Sequence, residues 1–221
     1  MRLHPLAKKP NLDFEVQFGF PRLTIVGVDE VGRGCLAGPV VAGAVVLPPS
    51  VLDQPPEWLG QVADSKLLTP DKREFLNPLI ADWVLDSALG VASVEEIERI
   101  NIYHASHLAM VRAVQGLKRV KPQHVLIDGN KVPRDLKISS SAIVKGDMKC
   151  LTIACASILA KVWRDRLMVE LDQQYPGYGL GGHKGYSTPV HQRALQELGA
   201  TPIHRRSFGP VAAVLGSYLN N

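Results

Sequence analysis

The chain has 221 residues, 46% of them apolar and 21% charged, with a formal net charge of +4 and a pI near 9.0. That length allows a sizeable core in one large domain or a domain with an appendage, and the composition is that of an ordinary soluble globular protein. No internal repeat, low-complexity tract or bilayer-length apolar run occurs, and the modest positive charge permits a polyanionic partner without requiring one.

Residues 1–21 are expected to form an irregular lead-in. His4, Pro5, Lys8, Lys9, Pro10 and Asp13 interrupt any apolar segment of a signal peptide, so a cytoplasmic location is expected. Apolar runs predict strands at Thr24 to Val28 and Val40 to Leu47, followed by a Pro-rich loop at Pro48 to Pro56 and a charged stretch around Asp64-Ser65-Lys66. Thr69 can cap a helix with Pro70 in its first position. A further strand is predicted over Trp83 to Ala92, and Ser93 with Glu96 has the spacing of a capping box that opens a helix to Leu117. Strands then close at Asp128 and near Asp147.

The next helix is predicted from Ile153 to Gln174, stopped by Pro176-Gly177, with Ala154, Ile158, Val162 and Val169 on one stripe. Asp165 shares that stripe, where it orients a basic or metal-binding neighbour or forms a salt bridge with an arginine. From Tyr178 to Arg206 the texture changes: His183, Lys184, Arg193, His204, Arg205 and Arg206 interleave with Tyr178, Tyr186 and glycines. Basic and aromatic side chains together suit phosphate contact and stacking, with a solvated basic face as the alternative. The order of signals implies an α/β protein with a mixed sheet flanked by helices.

The most informative stretch is Asp29-Glu30-Val31-Gly32-Arg33-Gly34. Two carboxylates end an apolar run, and an arginine suited to phosphate sits between two glycines that let another backbone come close. Neighbours on a regular strand face opposite ways, so both acids reach one site only if the strand bends or ends there. Asp128 and Asp147 close other apolar runs, and acids at strand ends can converge at one sheet edge. Oxygen-only donors suit Mg²⁺ or Mn²⁺, and four acids point to a two-metal site. A surface turn with a solvated acid pair is the competing reading of the hexapeptide. Cys35, Cys150 and Cys155 form no CxxC pair and are expected to be buried and reduced.

These segments, with Leu36-Ala37-Gly38-Pro39-Val40, Val144-Lys145-Gly146-Asp147, Ala156-Ser157-Ile158-Leu159-Ala160-Lys161-Val162, Arg164-Asp165, His183-Lys184-Gly185-Tyr186 and His204-Arg205-Arg206-Ser207-Phe208, occur in an order that resembles bacterial ribonuclease HII, the type 2 ribonuclease H family. The resemblance implies an RNase H-like fold with a C-terminal helical extension from about residue 176, the whole of 22–221 forming one catalytic domain. It further implies cleavage of the RNA strand of RNA/DNA hybrids and incision 5′ of ribonucleotides embedded in duplex DNA, leaving 3′-hydroxyl and 5′-phosphate ends, as in replication and ribonucleotide excision repair. By motif match, Asp29, Glu30, Asp128 and Asp147 are the catalytic acids and hold divalent metal, Mn²⁺ or Mg²⁺. Gly32, Arg33 and Gly34 correspond to the loop on the 2′-hydroxyl and phosphate, Tyr186 to the tyrosine beside the RNA-to-DNA junction, and Lys66 and Lys184 to substrate contacts. The chain is expected to work as a monomer without a membrane partner. Val31, where alanine is commoner, and Gly181-Gly182, where a bulkier pair is frequent, depart from the pattern without removing a catalytic group.

Overall fold

The computed structural model describes residues 9–219. In it the two apolar runs that follow Leu23 become β1 (Ile25–Val31) and β2 (Val40–Val46), paired antiparallel with Asp29 opposite Gly43. β3 (Asp86–Ala92) extends the sheet antiparallel beyond β2. On the other side of β1, β4 (His124–Asp128) and β5 (Ser140–Ile143) add in parallel, giving the order β3-β2-β1-β4-β5. The mixed sheet is the one that the sequence implied.

Seven helices among the described residues complete the chain: α1 (Asp13–Gln17), α2 (Pro70–Trp83), α3 (Val94–Gln115), α4 (Leu151–Gln174), α5 (Leu180–His183), α6 (Pro189–Leu198) and α7 (Gly209–Leu219). The expected caps are present. The Thr69 hydroxyl accepts from the Lys72 N–H, and Ser93 and Glu96 satisfy one another's backbone at the start of α3. α2 and α4 cover one sheet face with a core that includes Leu76, Ile80, Ile153 and Ile158. α3 covers the other, packing Ile97, Ala105 and Ala109 against Val26, Val28 and Ala44. α4 lies directly on the sheet backbone, because a Cβ on Gly27 would stand 2.3 Å from the Thr152 carbonyl carbon and one on Gly43 2.4 Å from the Ala156 oxygen. The tail helices form a third cluster in which Tyr178, Leu195 and Val211 pack on Leu36 and Met168.

Several boundaries differ from the expectations. β1 runs on to Val31 because β2 pairs with it over its whole final turn of the pleat, so the strand ends after the acid pair. Trp83 completes α2 rather than opening a strand, and its ring meets Trp58 edge-on at 5.6 Å. Asp147 lies in a 3₁₀ turn (Gly146–Met148) and not at a strand end, since Lys145 adopts a left-handed φ of 57° that turns the chain out of β5. Val169 is 42% exposed, off the buried stripe of α4.

The lead-in expected to be irregular carries α1. Asn11 bridges Cys150, and the buried Glu15 carboxylate accepts both the N–H and the hydroxyl of Thr152 at 2.8 Å. It supplies the start of α4 with the cap that Cys150 lacks. The part of the lead-in before residue 9 lies outside the described residues.

Candidate active site

Alternation along β1 puts Gly27 and Asp29 on the face that α4 covers and Glu30 on the other. Asp29 is 3% exposed. Its Oδ1 accepts the Glu30 N–H at 2.8 Å, and it is also hydrogen-bonded to the Ser157 hydroxyl from α4. Burial, followed by the charges of Glu30 and Asp128, holds its carboxyl well above the usual range. Burial also raises Glu30, against the pull of Arg33, whose Nη1 lies 3.2 Å from Glu30 Oε1. Asp128, at the end of β4, accepts the Gly146 N–H at 2.6 Å and so ties the turn of Asp147 to the sheet. Asp147 is raised by burial and then by Asp128 and Asp64.

These four acids offer oxygen alone, and three of them are driven toward the protonated form by burial and by one another. Both facts fit a hard divalent cation, which would hold the carboxylates ionised. Among the described residues no three His, Cys, Asp or Glu side chains form a closed cage for one ion. An ion held by one or two carboxylates, water and a substrate phosphate needs none. The nearby cation belongs to Lys66, whose Nζ stands 3.3 Å from Asp147 Oδ2. Burial opposes its charge, but Asp29, Asp147 and Asp64 together raise its pKa.

The Gly32–Gly34 loop is held from beneath by two fully buried arginines. Arg205 donates to the carbonyls of Gly32, Arg33 and Gly38 at 2.7 to 3.0 Å. Arg164 donates to those of Ala37, Pro39 and Lys184 at 2.9 to 3.0 Å. Gly32 sits at φ +93°, and a Cβ there would stand 2.3 Å from Arg164 Nε. With the Gly32 and Arg33 carbonyls occupied from within, the loop presents Gly34 outward, where a Cβ would meet nothing, and leaves the Arg33 side chain half exposed.

Tyr186 comes to the same place from the tail. It bridges Cys35, is 39% exposed, and has the Lys161 ammonium 5.8 Å from its ring centroid. Residues 26–211 match the family model of ribonuclease HII. The chain belongs to the ribonuclease HII family. Ribonuclease HII of Paracoccus denitrificans is 55% identical over 194 residues, covering 86% of this chain and 87% of that one. The ribonuclease H2 of Pyrococcus horikoshii superposes with a TM-score of 0.74 at 29% identity, over 90% of this chain and all of that one. A Bst RNase HIII solved with Mn²⁺ shares the fold, with a TM-score of 0.65 at 18% identity over 90% of this chain and 71% of that one. Membership makes the chain an RNase H, a hydrolytic endonuclease with activity on RNA/DNA hybrids.

The basic tail is where the structure departs most from the pattern expected of the sequence. Arg205 and His204 are wholly buried, so neither is the phosphate contact expected of the tail, whereas Arg206 is exposed. Lys184 takes a left-handed φ of 54° and turns its ammonium back to the Gly181 carbonyl, while its own carbonyl accepts from Arg164. Asp165 forms the salt bridge, 3.5 Å from Arg73 and 2.7 Å from Lys161. Arg73 in turn donates to the Ser65 and Leu68 carbonyls and so fixes the loop that carries Lys66. Sequence reasoning gave no role to Arg164, Arg73, Ser157 or Glu15. Of these, Arg164 lies in a recognised segment, Arg164-Asp165, and nothing in that segment indicates the carbonyls it serves. All three cysteines are free and buried, and burial pushes Cys150 up to about 12.

Proposed function

We propose that this enzyme cleaves the RNA strand of RNA/DNA hybrids and also incises 5′ of a single ribonucleotide in duplex DNA, leaving 3′-hydroxyl and 5′-phosphate ends. Asp29, Glu30, Asp128 and Asp147 would hold divalent ions, Mg²⁺ or Mn²⁺. Such ions supply an activated water and charge stabilisation at the leaving 3′-oxygen. The observation that carries the reading is the juxtaposition of the strained acid cluster with a glycine loop whose Gly32 and Arg33 carbonyls are held from below by Arg205, with Arg164 packed beneath Gly32.

Telling ribose from deoxyribose requires a group at close range to the 2′-hydroxyl. The backbone at Gly34, where a Cβ would meet nothing, offers that range. Arg33 brings a planar cation to the adjoining phosphate, and its ion pair with Glu30 keeps it beside the acids. Lys66 screens Asp147 and is placed to meet a phosphate that enters. Tyr186 packs beside the next sugar, where a 2′-hydroxyl would be refused or tolerated. No side-chain nucleophile is needed.

The test is cleavage of an end-labelled duplex containing one ribonucleotide, with Mg²⁺, Mn²⁺ or neither, and chemical mapping of the ends. A cut 5′ of the ribonucleotide that requires the ion and leaves a 3′-hydroxyl is the expected outcome. Cleavage of an all-DNA duplex at the same rate, or 2′,3′-cyclic ends, would overturn the proposal.

A further inference from the structure

Three histidines of the tail lie together, His183 stacked on His191 with centroids 4.5 Å apart and His191 5.2 Å from His204. Their partners fix where each proton sits. The Thr201 N–H donates to His204 Nδ1 at 3.1 Å, so in the neutral ring that nitrogen is bare and Nε2 carries the proton. His204 Nε2 lies 3.0 Å from His191 Nε2. The first therefore donates and the second accepts. That leaves the His191 proton on Nδ1, aimed at the Tyr186 carbonyl at 3.0 Å. His183 is fixed separately, its Nδ1 accepting from Gly185 and its Nε2 donating to the Tyr178 carbonyl.

On His204 Nδ1 an extra proton would displace the Thr201 N–H and be left with the Thr201 hydroxyl, 2.8 Å away, and on His191 Nε2 it would meet the His204 N–H. His191 and His204 are fully buried, which favours the neutral rings. The chain of donors therefore runs one way, from the backbone of Thr201 through two rings to the peptide of Tyr186. That peptide is otherwise held by the Thr188 N–H at 2.8 Å and by the bridge to Cys35, within a turn whose Lys184 and Gly185 both sit at positive φ.

We propose that His204 and His191 are positioning residues for substrate selection, a directional hydrogen-bond relay that aims Tyr186 at the sugar following the scissile ribonucleotide. The inference rests on the reading of Tyr186 as the junction contact. It adds two residues of the tail that touch no substrate themselves.

Two measurements test it. In the wild-type enzyme near neutral pH, imidazole nitrogen NMR should report His191 as the Nδ1–H tautomer and His204 and His183 as Nε2–H tautomers; the opposite tautomer or a charged ring at His191 or His204 would overturn the relay. His191→Leu removes the donor, and His191→Asn restores an amide N–H where Nδ1–H stood. The Leu variant should lose about tenfold in kcat at a lone ribonucleotide, with much smaller loss on a long hybrid and little change in KM, and Asn should recover most of it. Equal losses on both substrates with no rescue by Asn would overturn the relay. Should the Leu variant fail to fold, the Asn variant and the tautomer spectrum still decide. Tyr186→Ala separates the two claims. If it does not distinguish the substrates, the junction reading itself fails; if it does and His191→Leu does not, the relay alone fails.

Discussion

Glu96 and Asp29 are both largely covered carboxylates, and their surroundings push them in opposite directions. Glu96 receives two hydrogen bonds from Arg112 at 2.7 Å and one from the Ser93 N–H, which together hold it down to about 2. Asp29 has the Glu30 N–H and a serine hydroxyl, with two more acids beside it, and is held well above the usual range. The first acid is finished by the fold, closing the start of α3 against the rest of the helix. The second is left short of positive charge, which is what a site for divalent cations requires.

Substitution of the acids should separate these cases most widely. Asp128→Asn is expected to lower cleavage of hybrid by about three orders of magnitude, some 4 kcal/mol of barrier, while leaving hybrid binding measurable in a gel-shift assay. Turnover near that of wild type at saturating Mg²⁺ would remove Asp128 from the metal site. Arg205→Met should act on the other component, the loop. Several buried carbonyls would lose donors at roughly 1–3 kcal/mol each, so the melting curve should report a loss of about 3 kcal/mol or more. A small loss would mean that the loop holds its shape without that arginine. Glu96→Gln should cost only about 1 kcal/mol, because the pair with Arg112 is partly solvated, and should leave cleavage unchanged. Its folded pKa is depressed, so its contribution is present above the unfolded value and is lost as pH falls toward about 2.

Much of this arrangement was legible in the sequence because it depends on local patterns. Apolar runs ending in Asp29 and Asp128 gave the strands, and the Ser93–Glu96 spacing gave the start of α3, since each signal lies within a few residues of what it positions. The buried arginines were not legible, because apart from the Lys184 carbonyl the groups that Arg164 and Arg205 satisfy lie 125 to 173 residues away, and in sequence both look like surface charges. The same distance hid α1, whose Glu15 is held by Thr152, 137 positions on. Asp147 was misplaced for a different reason: a single left-handed residue, Lys145, turns the chain where the apolar pattern would have continued the strand.

The tension in the acid cluster is measurable without substrate. For Asp29, Glu30 and Asp147 the folded pKa is raised, so their favourable share of stability is full below the unfolded carboxylate value and is lost as pH rises through the folded one. The direct measurement is the melting temperature of wild type and Asp29→Asn at about pH 5 and about pH 8, with and without Mg²⁺. Without the ion, Asp29→Asn should melt at or above wild type at the higher pH. With it, wild type should gain more than the variant, and more at about pH 8 than at about pH 5. A variant that melts well below wild type and gains as much from Mg²⁺ would contradict a strained, cation-seeking cluster centred on Asp29.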